Sequence, residues 1–111
     1  MAHTSAGFIS RAVEAADAIR GAHRRHAFEH AVRHFEELLA TVPDYPAGDF
    51  VDADVARIQM LAEDVIELVE QRANEEEDTP TTALVLVNAV YGIRSRLEQI
   101  DIWRRHFKTP H

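Results

Sequence analysis

The stretch Asp52-Ala53-Asp54-Val55-Ala56-Arg57-Ile58-Gln59-Met60-Leu61-Ala62-Glu63-Asp64-Val65-Ile66-Glu67-Leu68-Val69-Glu70-Gln71-Arg72-Ala73-Asn74 decides the fold class. Val55, Ile58, Leu61, Ala62, Val65, Leu68 and Val69 recur every three or four residues. At about 100° per residue they fill one face of an α-helix, and Glu63, Glu67, Glu70 and Gln71 occupy the other.

Clear punctuation surrounds this helix. Upstream, Pro43-Asp44-Tyr45-Pro46-Ala47-Gly48 crowds turn residues together, and Asp49 or Asp52 can cap the free N–H groups of the helix that follows. Downstream, Thr79-Pro80 reads as an N-cap with proline at the first helical position. The acids Glu75-Glu76-Glu77-Asp78 oppose the helix dipole there, so fraying is expected. The last element runs from Pro80 to about Phe107. From Ala83 to Ile93 it is apolar nearly all round, which demands cover on more than one side. It then narrows to Ile93, Leu97, Ile100 and Phe107. A strand at Leu84–Val87 is the alternative, because β-branched residues are frequent there; the unbroken helical pattern downstream favours helix.

The first 42 residues contain a conflict. Phe8, Ile9, Ala12, Ala16 and Ile19 form one apolar face, whereas Phe28, Val32, Phe35, Leu38, Leu39 and Val42 lie on nearly the opposite side. Either one long helix serves two partners or the helix breaks near Gly21, since glycine costs a helix interior about 1 kcal/mol relative to alanine. A break at Arg20–His23 is the expectation. Helices then fall at about residues 5–20, 22–42, 52–75 and 80–107, in one domain over residues 1–111. The fold class is all-α, a small bundle of three or four helices that is four-helix-bundle-like. The apolar start of the last helix needs cover from the first helix, a second subunit or both, so a homodimer is expected.

At 111 residues there is room for one core, and 46% hydrophobic with 28% charged residues is ordinary for a globular domain. Without cysteine there is no disulfide framework, thiolate zinc site or cysteine nucleophile. Met1–Ala22 is interrupted every few residues by polar side chains and has no signal-peptide core. The longest apolar run, Ala83–Val87, is far shorter than the ~20 residues of a membrane span. A cytoplasmic protein is the expectation. Arginine supplies all basic residues but Lys108, which suggests a bacterial, GC-rich source.

Charge is distributed unevenly. Between Asp44 and Asp78, twelve acids face only Arg57 and Arg72, whereas residues 79–111 carry a net +3. Such a centre disfavours nucleic acid, whose phosphates need cations, and suits a protein partner with a basic surface. Seven histidines could, when protonated, cancel the formal charge of −7.

Four groups of residues invite chemistry. His26, His30 and His34 are four residues apart on a helix, with His23 one turn earlier. Neighbouring imidazoles at that spacing can grip Zn²⁺ or Ni²⁺, although one helix supplies only two good ligands, and a solvated polar face that happens to use histidine is the simpler reading. Arg25 and His30 have the Arg–x4-6–His spacing and so resemble the helical HEPN nucleases. That likeness implies metal-free RNA cleavage at a dimer interface, although His26 stands where the family commonly has asparagine. Glu63-Asp64-Val65-Ile66-Glu67 resembles the Glu-Glu-x-x-Glu helix of MazG-type nucleotide pyrophosphohydrolases. This implies Mg²⁺ held by carboxylates of two helices, but Asp64 replaces a glutamate. The Glu-x-x-Asp partner motif recurs only as Glu75 and Asp78 on the same helix. Finally, Trp103-Arg104-Arg105-His106-Phe107-Lys108 interleaves aromatics with cations, a pattern for stacking on bases or for packing at a helix end.

Together these features predict a non-enzymatic interaction or regulatory module that uses Glu63, Glu67 and Glu70. The alternative is a metal-binding protein or metal-dependent hydrolase built on the His23/His26/His30/His34 stripe or on Glu63 and Glu67.

Overall fold

The apolar faces of residues 8–19 and 28–42 cannot both point inward on one straight helix, and the chain resolves the conflict by stopping. In the computed structural model, which describes residues 5–75 and 80–108, α1 (Ser5–Gly21) ends three residues before α2 (Arg25–Ala40). Both faces are buried as a result: Phe8, Ala12, Ala16 and Ile19 from α1, and Phe28, Val32, Phe35 and Leu39 from α2. Pro43 lacks an N–H to continue α2, so Val42 is carried into the core by a short 3₁₀ turn, Val42–Asp44, and a second follows at Ala47–Asp49. Then come α3 (Asp52–Glu75) and α4 (Pro80–Lys108). The described residues contain no strand, including the Leu84–Val87 run. Thr79 and Glu76–Asp78 lie outside the described residues.

The cap of α3 differs from the expected one. The Val51 carbonyl accepts the first helical bonds from Asp54 and Val55, and the Val51 N–H donates to Asp54 Oδ2 at 3.2 Å. Asp54 therefore reaches back to the cap as the third residue of a capping box does. Asp52 is engaged elsewhere, with Arg104.

Around the bundle, α1 packs on α2 and α3, and α4 packs on the same two helices, so α1 and α4 sit at opposite corners. The start of α1, the crossover and the end of α4 meet at one end, the base. It follows that α1 and α3 run parallel, as do α2 and α4, while each of the hairpins α1–α2 and α3–α4 is antiparallel. No helix is long and apolar enough to cross a membrane among the described residues.

Aromatic rings lock the base. Phe50, 1% exposed, contacts Phe8, Tyr45 and Trp103 edge-to-face at centroid distances of 5.9, 5.3 and 5.9 Å. Arg11 donates to the Tyr45 hydroxyl at 2.8 Å. Arg104 donates to the Phe50 carbonyl at 2.6 Å and to Asp52 Oδ1 at 2.8 Å. The far end has a lighter tie: Arg72 donates to the His23 carbonyl at 2.7 Å and lies over the Phe28 ring at 5.1 Å.

Candidate functional site

The acidic face of α3 follows from its pattern. With Val55, Ile58, Ala62, Val65, Ile66 and Val69 buried, residues on the opposite side must face solvent, and Glu63, Glu67 and Glu70 are all exposed. Glu63 and Glu67 are four residues apart and Glu67 and Glu70 three apart, so like charges are neighbours on the helix surface. Each such pair costs about 0.2–0.5 kcal/mol. Asp64 meets Arg20 at 3.8 Å, whereas Glu63, Glu67 and Glu70 form no ion pair among the described residues.

Beside this face lies the outer side of α4. Leu86, Val90 and Ile93 turn inward, while Leu84, Val85, Val87 and Tyr91 remain 59%, 43%, 41% and 68% exposed. The cover that the sequence demanded on several sides comes from α2 and α3 on the two flanks, and neither reaches this outer arc. Glu70 shares a crevice of about 160 Å³ with Val87, Val90, Tyr91 and the cationic Arg94, so the acidic and apolar surfaces meet beside a basic side chain.

On the other flank, a groove of about 210 Å³ runs between α2 and α4, lined by Glu29, Arg33 and Glu36 on one side and Val85, Asn88 and Ala89 on the other. The Glu36 carboxylate occupies the space that a Cβ on Gly92 would need. Because that carboxylate is the end of a flexible, part-exposed side chain, it can swing outward. Gly92→Ala is therefore expected to raise stability by up to about 1 kcal/mol through helix propensity, read as a higher melting temperature.

His26, His30 and His34 are exposed on α2, but His23 precedes the helix and is not part of a continuous stripe. No group of three His, Asp or Glu side chains converges as a metal site would need, among the described residues. Arg25 and His30 are both exposed, and five residues of helix separate them by about 140°, so they do not share a face. Of the Glu75–Asp78 motif, Glu75 ends α3 and Asp78 lies outside the described residues.

The C-terminal cationic–aromatic segment packs. Trp103 is buried against Phe50, Arg104 holds the crossover, and Arg105 pairs with Asp101 at 2.9 Å. The side chains of Phe107 and Lys108 lie outside those described. Sequence reading missed Tyr45 and Phe50. The available signal was two aromatics inside a turn-rich stretch, where solvated loops have little use for large rings. Comparison with protein-family models, curated proteins and solved structures finds no match.

Proposed function

We propose that the chain is a non-enzymatic interaction module, acting in the cytoplasm as a homodimer, whose α3 surface receives a basic surface of a protein partner. The exposed Glu63–Glu67–Glu70 face, which makes no ion pair among the described residues, carries this reading. Repulsion that the folded chain tolerates alone becomes attraction once cations settle on it. Such a field speeds encounter and selects against acidic surfaces more than it adds affinity. Nucleic acid, itself an anion, is repelled by the same field.

The triple reversal Glu63→Lys, Glu67→Lys and Glu70→Lys tests it. All three positions are exposed, so the fold is expected to persist by circular dichroism. In pull-downs from the source cell at low salt, the partner recovered with the wild type is expected to be lost. Every interaction surviving the reversal would refute the reading.

A further inference from the structure

We propose that the groove between α2 and α4 binds a free diamino carboxylic acid, of the lysine or ornithine type. The site lies on the other flank of α4 from the α3 face and does not depend on the reading above.

Four polar side chains line the groove: Glu29, Arg33 and Glu36 from α2, and Asn88 from α4. None of them makes a hydrogen bond or ion pair among the described residues. Glu29 and Glu36 are half-buried, whereas Arg33 and Asn88 are exposed at the rim. Seven residues apart, the two glutamates lie within about 20° of each other around α2, and Arg33 projects about 40–60° further out. Both carboxylates are therefore turned toward the apolar floor, partly out of water and with no internal donor. Acceptors in that position favour a ligand that brings its own cations.

Gly92 makes the seat of Glu36. The carboxylate lies where a Cβ on residue 92 would stand, against the backbone of α4. Glycine inside a helix costs stability, and what it provides here is a close approach that no larger residue allows.

Along the groove the charges alternate. Because Glu36 is level with Gly92 and the helices run parallel, Arg33 and Asn88 face each other one turn further along, and Glu29 stands beside Val85 at the far end. A diamino acid carries the complementary order. Its α-ammonium meets Glu36, its carboxylate meets the guanidinium of Arg33 and the amide of Asn88, and its side-chain ammonium meets Glu29. The methylenes between them cover Val32 and Val85. Glu29 and Glu36 are about 10.5 Å apart along α2. Extended lysine measures about 7 Å between its nitrogens, and a hydrogen bond of about 2.9 Å at each end lets it bridge that interval. At about 210 Å³ the groove is smaller than the roughly 300–1,000 Å³ of sites for drug-sized ligands, which suits a single amino acid. The formal charge of −7 draws a cationic ligand toward the protein.

Titration calorimetry on the full chain at low salt, with L-lysine as the probe, tests this. Wild type is expected to bind one lysine saturably. Norleucine lacks the terminal ammonium, cadaverine lacks the carboxylate, and Nα-acetyl-L-lysine amide stands for a lysine inside a protein; each should bind at least about tenfold more weakly. Glu29→Gln and Glu36→Gln should each weaken lysine by a similar factor while keeping the melting transition. Arg33→Gln should weaken lysine yet leave cadaverine unchanged or tighter, a reversal that general attraction to an acidic protein would not produce. Gly92→Ala should melt higher and bind lysine less tightly. No saturable heat with lysine would overturn the proposal. So would cadaverine or the blocked lysine binding as tightly as lysine itself. If Glu63→Gln with Glu67→Gln and Glu70→Gln abolished binding while the α2 variants kept it, the ligand would belong to the α3 face and this site would be refuted.

Discussion

Phe50→Ala is expected to cost about 4 kcal/mol and to lower the melting temperature by roughly 15 °C or more. Removing a fully buried phenyl ring forfeits its transfer free energy and leaves a cavity, and Phe/Trp→Ala changes of this kind cost about 3–5 kcal/mol. Here the ring also makes three edge-to-face contacts, with Phe8, Tyr45 and Trp103. Such pairs add about 0.5–1.5 kcal/mol beyond burial, though they are not independent of one another. Surrounding atoms cannot easily close the gap, since they come from three separate parts of the chain. Against a total stability of about 5–15 kcal/mol, the variant would approach the limit of folding. Urea unfolding with an unchanged slope and a reduced midpoint would confirm it. A midpoint within experimental error of wild type would show that the base does not lock the bundle.

Arg104→Ala is expected to cost about 2 kcal/mol in the same assay. The Arg104 side chain is 17% exposed and its guanidinium donates to a backbone carbonyl that has no helical partner of its own, and hydrogen bonds involving charged groups contribute about 1.5–3 kcal/mol. The ion pair with Asp52 adds little, because that carboxylate is 70% exposed and screened by water. Arg104→Lys should recover only a minor part. One ammonium cannot span two acceptors with the fixed fork of a guanidinium. Because Phe50 and Arg104 hold the same crossover, Phe50→Ala with Arg104→Ala should cost less than the separate losses combined.

The helical class was legible from period alone, because each stripe in α1, α2 and α3 must be buried somewhere and 3.6-residue spacing allows one way to do it. The change of face between Ile19 and Phe28 likewise pointed to the interruption now seen at residues 22–24. What stayed hidden depends on distant parts of the chain meeting. Nothing near Phe50 reveals that Phe8 and Trp103 will flank it, 42 and 53 residues away in sequence. The cap at Val51 was missed because Asp49, Asp52 and Asp54 are chemically alike, and their spacing alone does not say that Asp54 turns back to Val51 while Asp52 goes to Arg104. On the functional side, the exposed positions of Glu63, Glu67 and Glu70 were readable, being the complement of a buried stripe. The bare outer arc of α4 was not, because a helix apolar all round gives no hint of which neighbours it will receive.

The aromatic knot occupies only one end of the bundle, and this polarises how the molecule breathes. Local opening follows the weakest cooperative unit, so amides at the base should exchange with solvent mainly through global unfolding, whereas those around the α1–α2 turn and the first turns of α4 have a shallower route. Leu84, Val87 and Tyr91 stand in that more readily opened half. Whatever settles on them binds the closed form preferentially and deepens it by RT ln(1 + [L]/Kd). Occupancy of one helix face is thereby linked to the order of the half of the molecule that only the lighter Arg72 tie holds.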